Sequence, residues 1–315
     1  MQNKTQTIFI IGAGAIGKVL AVFLKQQGKN IYLLHARTNN KPDTIEHIEV
    51  ELKTGEIIKA DVLVSNVNNC SALNGIIILT TKSFSNQQMA ERLKGKTGNS
   101  PIIILQNGLN VESSFLENDF PGIYRCVLFT SSQYGENNKL RFKPAAISPI
   151  GIIKGNIESL AIIIENLNNP YLIFEPEENI QPIIWTKAII NCVFNSVCPL
   201  LETDNGIFHR NEKALRIAKQ VVDECIVVAL SECIQLSADK VLERLLLISK
   251  SSDGQLISTY QDIINKRKTE INTLNFAIAG IADKLNKTGL TTRTKILGEL
   301  IQIKSEITME NHASV

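Results

Sequence analysis

The sequence predicts an α/β domain built on a parallel sheet, followed by an all-α domain. Three observations predict it. A Gly-x-Gly-x-x-Gly turn, Gly12-Ala13-Gly14-Ala15-Ile16-Gly17, stands near the N-terminus. Short apolar runs then alternate with polar, helix-compatible stretches, as in a sheet with helices on both faces. Beyond Glu175 the apolar spacing becomes helical.

The first strand, Ile8–Ile11, runs into the glycine turn, and the helix-compatible stretch Lys18–Gln27 follows. Gly12 allows a tight turn, Gly14 lets backbone approach a pyrophosphate, and Gly17 lets the helix pack close to the strand. The phosphates then sit at the positive helix N-terminus. With strand before and helix after, the turn reads as a dinucleotide site; the bland alternative is a glycine-rich turn in an ordinary α/β domain. The second strand, Ile31–Leu34, ends without the acid that holds a ribose 2′-hydroxyl in NAD sites. It continues as His35-Ala36-Arg37-Thr38-Asn39-Asn40, and the first acid is Asp43. Arg37 offers a guanidinium to a 2′-phosphate, so NADPH/NADP is the expected cofactor. The alternative is that Arg37 is a solvated surface charge. His35 reads as structural.

Gly75–Leu79, Ile102–Leu105 and Tyr124–Phe129 read as further strands, Val62–Val64 as a short one, and Asn86–Leu93 as a helix leading to Ile102. Leu140–Phe142 and Ile147–Ile153 lie close together, like a hairpin or meander, and are expected to close one edge of the sheet. Ser159–Leu167 reads as a helix and Tyr171–Phe174 as the last strand. The polar run Glu175-Pro176-Glu177-Glu178-Asn179 marks a boundary, giving a cofactor domain over 1–178 and a helical domain over 179–315. In the latter, Pro182–Val197, Asn211–Leu236, Ala238–Lys250, Glu270–Asn286 and Arg293–Lys304 read as helices, and Ile307–Val315 as a frayed tail.

The 315 residues carry 33 Lys plus Arg against 31 Asp plus Glu, a net charge of +2. That balance gives no general attraction to nucleic acid or to an anionic membrane. The cysteines at 70, 126, 192, 198, 225 and 233 form no Cys-x-x-Cys pair, and the histidines are far apart. Neither a metal site nor a disulfide framework is expected. The polar start Met1–Gln6 does not read as a signal, and no apolar run reaches the roughly 18–20 residues that span a bilayer. A cytoplasmic protein is the default expectation.

Lys187, Asn191 and Asn195 lie four apart and so share one helix face. Their neighbours Ala188, Ile189, Ile190, Cys192, Val193 and Phe194 are apolar. Lysine and asparagine are poor choices for a buried stripe without partners, so the stripe either faces solvent or lines a polar cleft. The apolar surroundings favour the cleft, where a lysine can protonate a developing alkoxide and amides can bind a hydroxyl or carboxylate. Ser258 suits a substrate carboxylate, and Glu270 suits a substrate hydroxyl or an orienting contact to the lysine. Read alone, Ser258 is a helix cap and Glu270 a first-turn charge. Thr81-Lys82-Ser83 and Gln106-Asn107-Gly108 follow two strands, at the carboxyl ends where ligands bind in parallel sheets.

Together these residues resemble ketopantoate reductase, the 2-dehydropantoate 2-reductase family, over nearly the whole chain. The carriers are the glycine turn, Thr81-Lys82-Ser83, Gln106-Asn107-Gly108, Trp185-Thr186-Lys187 with Asn191 and Asn195, Asn205-Gly206, and Ser258-Thr259-Tyr260-Gln261-Asp262 with Thr269-Glu270. The resemblance implies a Rossmann-type N-terminal domain, an all-α C-terminal domain and an active site between them. It implies reduction of ketopantoate to (R)-pantoate by NADPH, a step toward pantothenate and coenzyme A. By the same resemblance Lys187 is the general acid and Glu270 supports it as the substrate-hydroxyl partner. Asn191, Asn195, Asn205 and Ser258 are substrate ligands, and Asn107 links cofactor and substrate. The cofactor is held by Gly12, Ala13, Gly14, Ala15, Ile16, Gly17, Arg37, Lys82, Asn107 and Glu270. A monomer or homodimer is expected. Two other readings stay open: a reductase of another 2-oxo acid on the same scaffold, and an NADPH-binding sensor without turnover. The sensor needs neither Lys187 nor Glu270.

Overall fold

The computed structural model of the chain describes residues 6–36, 42–135 and 139–310. The chain forms two compact units. One holds the chain to Gln106 and again Val111–Ile180; the other holds Asn107–Asn110 and the chain from Gln181 onward.

In the first unit the elements run β1 (Ile8–Ile11), α1 (Ala15–Gln26), β2 (Ile31–His35), β3 (Thr44–Leu52), β4 (Ile57–Asn66), β5 (Ile76–Leu79), α2 (Asn86–Leu93) and β6 (Ile102–Ile104). They continue as α3 (Ser113–Glu117), β7 (Ile123–Cys126), β8 (Thr130–Tyr134), β9 (Leu140–Pro144), β10 (Ser148–Lys154), α4 (Ile157–Leu167) and β11 (Phe174–Pro176). The strands form one sheet, ordered β11-β10-β7-β6-β5-β1-β2-β4-β3-β9-β8. Its centre, β7-β6-β5-β1-β2-β4, is parallel throughout. Alternate residues of β1 enter opposite cores. Ile8 and Ile10 pack with Val19, Leu20 and Phe23 of α1, whereas Phe9 and Ile11 pack with Met89, Ala90 and Leu93 of α2. Burial on both faces explains why these strands read as unbroken apolar runs rather than alternating ones.

The expected hairpin of Leu140–Phe142 with Ile147–Ile153 does not form. β9 pairs with β8 and β3 near one edge, whereas β10 pairs with β7 and β11 near the other. Period-two apolar spacing marks a strand without naming its partner, and these two satisfy their ladders far apart. The short strand expected at Val62–Val64 lies within the ten-residue β4, which pairs antiparallel with β3. That strand, rather than a helix, connects β2 to β4. The strand expected over Tyr124–Phe129 ends at Cys126. The strand placed at Tyr171–Phe174 is β11, three residues from Phe174.

The second unit contains α5 (Gln181–Leu200), α6 (Ile207–Arg210), α7 (Glu212–Ser231), α8 (Ala238–Ser251), α9 (Ser258–Ile264), α10 (Asn275–Lys284) and α11 (Thr292–Glu310). Asn211 starts α7 by accepting the Lys213 and Ala214 N–H groups. That helix stops short of the expected Leu236, and Cys233 takes φ +62° just beyond it. The helix expected over Glu270–Asn286 divides into a 3-10 turn, Ile271–Thr273, and α10. The tail expected to fray from Ile307 is helical through Glu310; residues 311–315 lie outside the described residues. Contrary to the expectation about apolar runs, α5 is long and apolar enough to cross a membrane by length and composition. Yet 72% of that window is buried within the protein, which marks a core helix.

Cys126, Cys192, Cys198 and Cys225 are buried, Cys70 is half-buried and Cys233 is exposed. Burial, with the Asp204 charge nearby, pushes the Cys198 thiol up to about 12. Burial likewise raises Cys192 well above the ordinary thiol range, and a contact with Cys225 adds to it. The thiolate is the reactive form, so an alkylating reagent on the native protein is expected to label Cys233 first and Cys70 slowly. The four buried thiols should react only on unfolding. Peptide mass spectrometry checks this, and early labelling of Cys192 or Cys198 would contradict the packing described.

Candidate active site

The glycine turn is shaped by contact. Gly12 has φ +126°, and a Cβ there would lie 2.6 Å from Thr80 Oγ1 and 2.7 Å from the Thr81 nitrogen. A Cβ on Gly17 would lie 1.9 Å from the Gly12 oxygen. At Gly14 a Cβ would meet nothing within 4 Å. The turn is therefore filled on its protein side and open at Gly14. Thr80, which sequence reasoning passed over, locks it: its N–H donates to the Ile11 carbonyl at 2.9 Å and its Oγ1 to the Gly12 carbonyl at 2.8 Å. No side chain caps α1, and its first turn holds no acid. Ala15, Ile16 and Gly17 thus open a helix whose N-terminal dipole no capping side chain or first-turn acid meets. Ala13 and Ile16 pack against the core cluster beneath.

Two loops past the sheet are tied together. The buried amides of Asn86 and Gln106 exchange hydrogen bonds at 2.7 and 2.8 Å, and Gln106 Nε2 also donates to Thr81 Oγ1 at 3.0 Å. Asn86 Nδ2 further donates to the Val111 carbonyl at 2.7 Å. This fixes the Thr81-Lys82-Ser83 loop beside the end of β6. Lys82 is half-buried there, just before the 3-10 turn Ser83–Ser85. Beneath lies Arg125 of β7, 2% exposed, ion-paired with Glu112 and donating to the Gln106 carbonyl at 3.5 Å. A charged residue amid the apolar Ile123-Tyr124-Arg125-Cys126 run was the available signal, because a buried cation must be paired.

The segment Asn107–Asn110 belongs with the second unit. Gly108 has φ +102°, and a Cβ there would lie 2.4 Å from the Thr273 carbonyl oxygen. Leu109 N–H donates to that same carbonyl at 2.8 Å. Thr273 in turn donates through N and Oγ1 to the Glu270 carbonyl, at 3.0 and 3.1 Å. Half-buried Asn107 and half-buried Glu270 are thereby carried by two backbone segments locked to each other. Glu270 precedes the 3-10 turn and is not a first-turn charge of α10, which corrects the bland reading of it.

Lys187 and Asn191 are half-buried on α5, and Asn195 one turn further is buried. The stripe therefore grades from accessible to enclosed. Asn195 Oδ1 accepts Ser258 Oγ and the Thr259 N–H, each at 3.2 Å, and its Nδ2 donates to the Asn191 carbonyl at 3.0 Å. Asn195 thus caps α9 from another helix and aims Ser258. Ser258 is the first residue of α9 rather than its cap, as read from sequence alone, and remains exposed.

Asn205 is 6% exposed. Its N–H donates to the Gln255 carbonyl at 2.9 Å, and its own carbonyl accepts Ser249 Oγ at 2.7 Å. Its side-chain Oδ1 is buried with no donor among the described residues. Ser249 also bonds His209 Nδ1 at 3.1 Å, and Arg210 bridges Asp204 and Asp253 around the same loop. The Arg210 and backbone hydrogen bonds hold Asp204 below the usual carboxylate range against its burial. Sequence reasoning missed this anchor, because Ser249 reads as an ordinary helical serine. Arg37 lies outside the described residues.

Two family models match the chain. One, described as ketopantoate reductase PanE/ApbA, covers residues 8–147; the other, its C-terminal counterpart, covers 179–304. The chain is 29% identical over 285 residues to the 2-dehydropantoate 2-reductase of Pyrococcus horikoshii, covering 89% of this chain and 91% of that protein. It is 25% identical over 314 residues to the Streptococcus pyogenes protein of the same name, covering 95% and 98%. Among solved structures, dimeric ketopantoate reductase from Staphylococcus aureus superposes with a TM-score of 0.79 at 19% identity, covering 96% of this chain and 99% of that one. A D-mandelate dehydrogenase with NADH and anilino(oxo)acetate gives 0.80 at 23% identity, with the same coverage. At these identities the structures show a shared fold.

Proposed function

Because this chain belongs to the ketopantoate reductase family of NAD(P)-dependent oxidoreductases, we propose that it reduces ketopantoate to (R)-pantoate with NADPH. The observation that carries the reading is a glycine turn filled by Thr80 on one side and open at Gly14 on the other, which fits a pyrophosphate. The backbone from Gly12 to Gly17 would hold it, with Arg37, Lys82, Asn107 and Glu270 along the rest of the cofactor. When bound, the reduced nicotinamide supplies hydride to the substrate's carbonyl carbon.

Lys187 donates the proton that the carbonyl oxygen needs as it becomes an alkoxide, and its ammonium stabilises the charge growing there. Glu270 holds the substrate hydroxyl and orients Lys187. Ser258, aimed by Asn195, binds the substrate carboxylate. Asn191 adds an amide one turn from Lys187, and the undonated Asn205 Oδ1 is an acceptor for a substrate donor. Asn107 contacts both cofactor and substrate. The reading is completed by a cytoplasmic setting and a monomer or homodimer.

The test is to incubate the protein with NADPH and ketopantoate, follow loss of the reduced nicotinamide, and resolve the product by chiral chromatography. Formation of (R)-pantoate supports the proposal. Turnover only with other 2-oxo acids, such as the aryl ones, replaces the substrate and keeps the chemistry. NADPH binding without turnover on any of them favours the sensor.

A further inference from the structure

Asn205 is held by its backbone on both sides while its side-chain acceptor is left open. Its N–H donates to the Gln255 carbonyl at 2.9 Å, just past α8, and its carbonyl accepts Ser249 Oγ at 2.7 Å, from within α8. The flanking residues are fixed as well. Asp204 accepts the Gly206 N–H at 2.6 Å and takes Arg210 Nη2 on both oxygens at 2.9 Å. A Cβ on Gly206 would lie 2.0 Å from Asp253 Oδ1, so the glycine gives Asp253 room against this turn. Yet Asn205 Oδ1, in a residue 6% exposed, has no donor among the described residues. A buried acceptor left unpaired in a turn braced so fully calls for a donor from outside the chain.

Ser249 is fully buried and has a single hydroxyl hydrogen, which the Asn205 carbonyl receives. Ser249 Oγ therefore accepts both contacts from His209, the backbone N–H at 3.3 Å and Nδ1 at 3.1 Å, and this places a hydrogen on Nδ1. The other ring nitrogen, Nε2, lies 3.5 Å from Asp253 Oδ2. The hydrogen bonds thus run in one direction, from His209 through Ser249 to the Asn205 carbonyl. We propose that Ser249 and His209 are positioning residues: their relay sets the orientation of Asn205 and, through it, the affinity for the substrate's donor group. Ketopantoate carries one such donor at neutral pH, its hydroxyl, the group also given to Glu270. The relay therefore favours 2-oxo acids that bear a hydroxyl over those that do not. This inference rests on the reading of Asn205 as a substrate ligand.

The test is steady-state kinetics with ketopantoate, beside the affinity for trimethylpyruvate as competitor or alternative substrate. Trimethylpyruvate has a methyl where ketopantoate has its hydroxymethyl group. The proteins are wild type, Ser249→Ala, Asn205→Ala, the double variant, His209→Ala and His209→Asn, each with an NADPH titration and a melting temperature. Ser249→Ala is expected to raise KM for ketopantoate by about three- to tenfold, as losing one hydrogen bond does. Its kcat and its affinities for trimethylpyruvate and NADPH should stay within about twofold of wild type, the mark of lost uniform binding. In the Asn205→Ala background the serine substitution should add nothing. His209→Asn, which can keep an N–H donor toward Ser249, should stay near wild type, while His209→Ala should follow Ser249→Ala. Equal weakening of both 2-oxo acids, an effect of Ser249→Ala that persists without Asn205, or an unchanged KM in Ser249→Ala overturns the assignment and leaves the pair a brace for the turn. An unchanged KM in Asn205→Ala overturns it through Asn205, while wild-type turnover of ketopantoate spares the proposed reaction. No wild-type turnover of ketopantoate removes both.

Discussion

Lys187→Ala is expected to lower kcat by about 10²- to 10⁴-fold, the usual contribution of a positioned general acid. The affinity for NADPH should stay within a few-fold of wild type. Lys187 is half-buried in the second turn of α5, a helix otherwise packed into the core of its unit by Ile184, Trp185, Ala188 and Ile189. Such a lysine is held by its backbone rather than waving in solvent. One and two turns on, Asn191 and Asn195 extend the same face, and Asn195 is bonded to Ser258. A group that donates a proton only as the carbonyl becomes an alkoxide acts in the transition state, so its loss appears in kcat more than in KM. Steady-state kinetics with a parallel NADPH titration check this. Unchanged kcat in a folded Lys187→Ala protein would remove the lysine from the chemistry.

Gly12→Ala and Gly14→Ala are expected to part company. At Gly12 the new methyl meets Thr80 and the Thr81 backbone nitrogen at 2.6–2.8 Å, in a backbone with φ +126°. Strain of about 1–3 kcal/mol at that dihedral and a further ~1–3 kcal/mol of overpacking take a large share of a typical folding stability of about 5–15 kcal/mol. Melting temperature and dinucleotide affinity should fall together. At Gly14 the methyl meets no protein atom within 4 Å, and φ is −83°. Melting temperature should hold, while dinucleotide affinity falls by tenfold or more because the methyl occupies the approach of the pyrophosphate. Thermal unfolding with ligand titration separates the two. A Gly14→Ala protein with wild-type affinity would show that no phosphate passes there.

What could be read from sequence follows the range of the interactions. β1 and α2 fall on their predicted residues, because an apolar run ending at a glycine turn and a short amphipathic stretch are local signals. β3 was missed: Thr44–Leu52 alternates charged and apolar residues, and only pairing with β4 and β9 makes it a strand. β9 and β10 were recognised as strands and given the wrong neighbours, since ladder partners lie outside any local window. The site divides the same way. The i, i+4 spacing of Lys187, Asn191 and Asn195 and the glycine turn are visible in the chain itself. Thr80 against Gly12, Asn195 against Ser258 and Ser249 under Asn205 span between 44 and 68 positions of sequence, apart in the chain and joined only by folding. Side chains proposed to touch a ligand left a pattern; those that aim them did not.

The proposed reaction is hydride transfer from a nicotinamide to the carbonyl carbon of a 2-oxo acid. The most direct measurement uses NADPH carrying deuterium at nicotinamide C4, prepared separately with each stereochemistry, and mass spectrometry of the product from ketopantoate. The account predicts one deuterium at C2 of pantoate from one of the two labelled cofactors and none from the other. Pantoate without deuterium from either, or no reduced product from ketopantoate or any other 2-oxo acid while NADPH binds, would contradict it.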